Sequence, residues 1–219
     1  MSYQDWKMTT KAKLIYDELC KDFLIGPNEN ITTCSYDSSN KQHFVENSTG
    51  ILNFDKIDNQ CQTLKNSKSK NMSADCLIYR AWNDTLYFLE FKSGTCKYKD
   101  IRYKIIDGFT NLYHYALKKK IISSREEYLE INFRFCLVRR NAGEVYLRDT
   151  ILGDLERGEE LRGTEVFNDL EDFYLKKVSI VMTPEKVPDL LFTITDGLIK
   201  EINYHYIDKV VKKLTTALV

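Results

Sequence analysis

Little in this chain punctuates it. Among 219 residues there are three prolines and nine glycines, and neither a Pro/Gly-rich linker nor an internal repeat appears, which excludes a repeat array or modules on flexible tethers. No apolar run approaches the ~20 residues that span a bilayer. The opening MSYQDWKMTTKAK has no apolar core, so no secretory signal is expected and a cytoplasmic location follows. An excess of one charge is also missing: 32 Lys and Arg balance 32 Asp and Glu, so the composition does not advertise a nucleic-acid binder. Histidine is scarce, and the three present (His43, His114, His205) have no ligand spacing with cysteine. A zinc site is therefore not expected. No GxSxG nucleophile signature occurs.

What is present is ordinary for a globular chain, 43% apolar and 29% charged, and long enough for a substantial core in one domain spanning 1–219. Six cysteines permit three disulfides by arithmetic, but Cys76 and Cys136 lie inside apolar, strand-like runs and no CxxC pair occurs. Free buried thiols are the expectation.

Thr9 to Leu24 reads as a helix stopped by Gly26-Pro27, and 28–48 as polar and irregular. Ile51 to Ile57 alternates like a short strand, followed by a basic loop over 59–73. Asp100 to Lys120 carries an apolar stripe of Ile101, Ile105, Phe109, Leu112 and Ala116, so it is expected to be a helix covering one face of a sheet. Gly108 weakens it. Ile131 to Arg139 is β-branched and aromatic, with Glu144 to Leu147 expected to pair back onto it. Residues 149–172 read as helical or loop-like, and Phe173 to Met182 as a strand. Helical spacing from Asp196 to Leu218 rests on Ile199, Ile202, Tyr206, Val210 and Leu214. A strand, a helix and a further strand imply a crossover to a parallel neighbour. The plan is α/β, a central sheet flanked by helices.

The densest information lies in Ser73 to Gly94, SADCLIYRAWNDTLYFLEFKSG. Two apolar runs flank Asn83-Asp84, a hairpin signal because both residues tolerate positive φ. With Trp82 opposite Thr85, Asp75 faces Lys92 and Leu77 faces Glu90. Side chains alternate along a strand, so Asp75, Glu90 and Lys92 share one face. Charged groups in strands this apolar are paired or bind something. Two carboxylates beside an ammonium suit Mg²⁺ or Mn²⁺ and the hydrolysis of phosphodiesters. A plain Asp75–Lys92 salt bridge is the other reading.

Asp75, fourteen intervening residues, then Glu90-Phe91-Lys92 resembles the core motif of the PD-(D/E)xK nuclease superfamily, over roughly Ser73 to Leu117. Ala74 stands where the family's name has proline. The resemblance implies a restriction-endonuclease-like mixed central sheet flanked by helices, with Asp75 and Glu90 as metal ligands. It adds the main-chain carbonyl of Phe91 as a third ligand, and Lys92 to orient the attacking water or stabilise developing charge. Family members often add an acid from the first helix. Glu18 is the candidate here, with Glu46 a weaker substitute and a surface carboxylate the competing reading.

Charge is unevenly placed. From Lys56 to Lys104 ten cations face five acids, whereas from Glu144 to Asp172 ten acids face three arginines. Lys97, Lys99, Arg102 and Lys104 interleave with Tyr98 and Tyr103, a pattern suited to a phosphate backbone. The expectation is a metal-dependent nuclease acting on DNA in preference to RNA, with a homodimer or a protein partner as sources of specificity. The competing class is a catalytically silent nuclease-fold protein that binds nucleic acid or another protein.

Overall fold

The computed structural model describes residues 9–23, 29–61, 72–94, 97–140, 167–171 and 173–218, with side chains of 58–61 excepted. Its elements are α1 (Lys11–Asp22), α2 (Ile31–Cys34), β1 (Tyr36–Asp37), β2 (Gln42–His43), β3 (Val45–Glu46), β4 (Leu52–Asn53), α3 (Phe54–Cys61), β5 (Cys76–Arg80) and β6 (Thr85–Ser93). There follow α4 (Tyr98–Lys118), α5 (Arg125–Leu129), β7 (Asn132–Arg140), β8 (Lys177–Val181), a 3-10 turn (Pro184–Lys186), α6 (Val187–Ile194), β9 (Glu201–His205) and β10 (Val211–Thr215).

Five strands form the central sheet in the order β4-β5-β6-β7-β8. β4, β5 and β6 pair antiparallel, and β7 and β8 continue parallel to β6. The change of direction follows from connection length. A tight turn joins β5 to β6, whereas the 21 residues of α4 separate β6 from β7, enough for a crossover. The sheet is thus mixed and flanked by helices, as expected.

Alternation sorts β6 between two cores. Leu86 and Phe88 pack with Ile101, Ile105 and Leu112 of α4 and Ile15 and Leu19 of α1. Tyr87, Leu89 and Phe91 face α2, α6 and a second sheet of order β10-β9-β3. Gly108 has a packing reason: a β-carbon there would lie 3.2 Å from the Phe54 ring, so its absence lets α3 and α4 approach.

Four expectations are corrected. The C-terminal segment is not a helix but the β9–β10 hairpin, because Ile202, Tyr204 and Tyr206 alternate inward and Lys209 turns the chain at φ 66°. Ile51 to Ile57 is strand only at Leu52–Asn53 before α3 begins. The expected irregular stretch 28–48 holds α2 and three two-residue strands. The basic loop begins within α3, and its 62–71 portion lies outside the described residues, as do the pairing of Glu144 to Leu147 and nearly all of the acidic stretch. Cys20, Cys34, Cys76 and Cys136 are free thiols. Among the described residues no helix is long and apolar enough to cross a membrane.

The hairpin register also differs. Arg80, not Trp82, pairs with Thr85, and Leu77 meets Phe88. The turn spans Ala81 to Asp84, with Asp84 at φ 49°. It is held from outside: the Asp196 carboxylate accepts from the backbone N–H of Ala81 at 2.7 Å and from Arg80 Nε at 3.1 Å. Replacing Asp196 with alanine leaves that exposed turn N–H to water, so the change is expected to cost about 0.5–1.5 kcal/mol. Urea unfolding measures it, and an unchanged midpoint would show that the turn forms without this anchor.

Candidate active site

The register is displaced by two residues, and an even displacement leaves every side chain on its expected face. Asp75, just ahead of β5, and Glu90 and Lys92 on β6 therefore still point to the face covered by α4. They line one cavity of about 240 Å³ together with Ser35 to Asn40, Phe44, Phe91, Ser93 and Lys104.

Glu90 is the more deeply placed acid. Its side chain is 2% exposed, against 23% for Asp75. Phe91 N–H donates to Asp75 Oδ2 at 2.7 Å, which fixes that carboxylate across the end of β5. The N–H and C=O of a strand residue point to the same edge, so the Phe91 carbonyl is directed to the Asp75 side, where β5 has ended.

The cation nearest both acids is Lys104. Its Nζ lies 2.6 Å from Glu90 Oε1 and 3.9 Å from Asp75 Oδ1. Burial opposes its charge, but Glu90 and Asp75 outweigh that and hold the ammonium above its usual range. Both acids are pushed up. Burial is the main cause for each; the Asp75 charge adds to it at Glu90, while Lys104 and Lys92 pull both down.

The donor set fits a hard divalent cation. Glu90 Oε2 is buried without a hydrogen-bond partner among the described residues, so it either carries the carboxyl proton or is open to a cation. The ligands are few, since no cluster of three or more His, Cys, Asp or Glu able to hold a metal occurs among the described residues.

Other expected residues lie elsewhere. Glu18 sits 2.6 Å from Lys21 and 3.7 Å from Lys119. Lys119 caps the far end of α4, about 22 Å along the axis from Lys104, so Glu18 is not brought to the site: α1 runs past it rather than into it. Glu46 is 3.0 Å from His205 in the second sheet. The acid whose charge does reach Asp75 is Asp55 on α3, which accepts from Ser73 Oγ at 2.9 Å.

The basic quartet is divided by the helix. At about 100° per residue, Lys97 falls on the Lys104 side and Lys99 and Arg102 on the opposite one. Arg102 makes two bonds of 2.6 Å to Asp169, and Lys99 lies over the Tyr103 ring at 5.7 Å. Lys104 is a site residue rather than part of an outer patch. Its signal was in the sequence, because it occupies the buried stripe between Ile101 and Gly108. Asp55 carried no such signal while its segment read as a strand.

The chain matches no protein-family model. Neither the curated proteins nor the solved structures contain a match to it.

The raised carboxylates set a sign for stability against pH. A group whose folded pKa exceeds its unfolded value contributes stability fully present below the unfolded value, lost as pH rises through the folded one. In EDTA the pair's contribution is therefore expected to decline from pH 4 upward through neutrality, and Glu90→Gln to flatten that decline. Thermal melts across pH 5 to 9 measure it. Parallel curves for the two proteins would show that Glu90 titrates normally.

Proposed function

We propose that this protein is a divalent-metal-dependent nuclease of restriction-endonuclease-like fold, hydrolysing phosphodiester bonds in nucleic acid. The observation carrying this reading is the convergence of Asp75 and buried, half-partnered Glu90 with Lys92 in one cavity. The mixed sheet with α4 over the site face is the arrangement that the PD-(D/E)xK resemblance implies. DNA is favoured over RNA on that resemblance alone.

Asp75 Oδ1, Glu90 Oε2 and the Phe91 carbonyl are the atoms that would hold Mg²⁺ or Mn²⁺. When bound, such an ion neutralises phosphate charge and lowers the pKa of a coordinated water. The protein groups do the rest. Phe91 N–H keeps Asp75 turned toward the cavity. Lys104 fixes Glu90 through its other oxygen. Lys92, whose charge reaches both carboxylates, orients the attacking water or balances the charge that grows on the phosphate. The water gives up a proton as its oxygen forms the new P–O bond, the ester P–O bond breaks, and the departing sugar oxygen takes up a proton in turn.

One observation favours a second reading. Lys104 already neutralises Glu90 at 2.6 Å, as expected for a binding module whose internal ion pair stands in for the metal. Calorimetry with Mn²⁺ separates the two, since only the nuclease takes the ion, and Asp75→Ala is expected to abolish uptake. Lys92→Ala is expected to lower metal-dependent cleavage by about 10²-fold or more, with metal affinity little changed. Cleavage that survives EDTA, or Mn²⁺ uptake unaffected by Asp75→Ala, would remove the proposed ligand set.

A further inference from the structure

The cavity has a fixed roof. Ser35 to Asn40 line it: Ser35 ends α2, and the others belong to the β1–β2 hairpin, in which Tyr36 pairs with His43 and Asp37 with Gln42. Ser35 Oγ donates to the Val45 carbonyl at 3.0 Å and accepts from Val45 N–H at 3.2 Å. The Asp37 carboxylate accepts from the N–H groups of Ser39 and Asn40 and from Asn40 Nδ2. Gln42 Nε2 donates to the Tyr206 carbonyl at 3.2 Å. Behind the hairpin, Arg140 is 1% exposed; it donates to the His43 carbonyl at 3.3 Å and lies 3.5 Å from Asp37. A hairpin bonded at so many points is a wall, not a lid.

The room beneath it is small. A volume of about 240 Å³ is below the roughly 300–1,000 Å³ of a drug-sized ligand site. It admits a phosphate with its sugar, one nucleotide at a time. At the mouth stands Tyr36, which lines the cavity yet is 51% exposed, its ring 5.2 Å from that of His43. An aromatic ring exposed beside a phosphate-sized cavity is a platform on which a free base stacks. Ser38, Ser39 and Asn40 add exposed hydroxyl and amide groups suited to sugar and phosphate oxygens. Cations lining the cavity are limited to Lys92 and Lys104 among the described residues, so stacking rather than charge must supply much of the hold.

We propose that the site takes an unpaired polynucleotide strand, one nucleotide entering beneath the hairpin with its base on Tyr36 and its phosphate toward Asp75 and Glu90. This rests on the nuclease reading for its chemistry, but not for its strand preference.

The test uses a fluorescent 15-nucleotide strand, as DNA and as RNA, alone and annealed to its complement. Binding is read by anisotropy in EDTA, where metal-dependent cleavage is silent, and cleavage in Mn²⁺, both with otherwise unaltered protein. The single strand is expected to bind at least tenfold more tightly than the duplex, with a shallow salt dependence. Tyr36→Ala is expected to weaken single-strand binding by roughly 5- to 100-fold, the range for one lost base stack, with Tyr36→Trp restoring it. Tyr36 is exposed, so both variants are expected to melt like the parent. The DNA and RNA arms decide which polynucleotide the site prefers. Equal affinity for strand and duplex, or a Tyr36→Ala protein that binds as before, would overturn the proposal. Failure to cleave any of the four substrates would overturn the nuclease reading instead, and the anisotropy comparison would still decide the strand preference.

Discussion

Two carboxylates taken out of water at the end of an apolar sheet need a cation, and the surroundings of Asp75 and Glu90 are arranged to supply one. Glu90 is flanked along β6 by Leu89 and Phe91, which are committed to the other core. It cannot retreat to solvent without reversing the strand's alternation. Lys104 answers it because α4 starts where β6 ends, and its second turn passes over the acids. The arrangement satisfies one oxygen of Glu90 and leaves the other without a partner. That residual demand sets this cluster apart from an ordinary buried salt bridge, which is stable only when all its polar atoms are satisfied.

A second buried charge joins the two sheets. Arg140 ends β7 with its guanidinium 4.4 Å from the Phe44 ring, bonded to Ser93 Oγ and to the carbonyls of His43 and His205. One planar group thus ties the central sheet, the β1–β2 hairpin and β9 together. Its five donors match acceptors that converge from separate segments, a task for which a lysine has the wrong shape. Burial lowers the pKa of the guanidinium, and Tyr204 and Asp37 pull it back only in part. Asp37 is buried in part as well, yet the bonds from Asn40, Ser93 and the backbone of Asn40 and Ser39 outweigh burial and hold its carboxyl below the usual range. The cavity wall therefore keeps its shape through charge pairing as well as through strand pairing.

Elements with long patterns were legible. The stripe from Ile101 to Ala116 found α4, and the uninterrupted β-branched and aromatic run found β7. Two-residue strands such as β1, β2 and β3 carry too few residues for any period. The C-terminal segment satisfied both templates, since Ile199, Ile202, Tyr206 and Val210 fit a helix while Ile202, Tyr204 and Tyr206 fit a strand. Pairing of β9 with β3, more than 150 residues away in the chain, decided between them. In the hairpin, Asn83-Asp84 correctly marked the turn, but the four-residue turn is bonded to Asp196, a distant partner that no local rule can see.

The sequence by itself determined that Asp75, Glu90 and Lys92 share a face, because strand alternation is a local property that survives an even slip of register. It also determined that a helix follows and covers that face. Only the tertiary structure decided which charges meet there: Lys104 and Asp55 rather than Glu18, with Arg102 drawn off to Asp169. Helix faces reveal which side a residue takes, but not which partner waits on that side. That partner depends on how α1, α3 and α4 cross the sheet, and the crossing is set by side chains packed from every part of the chain at once.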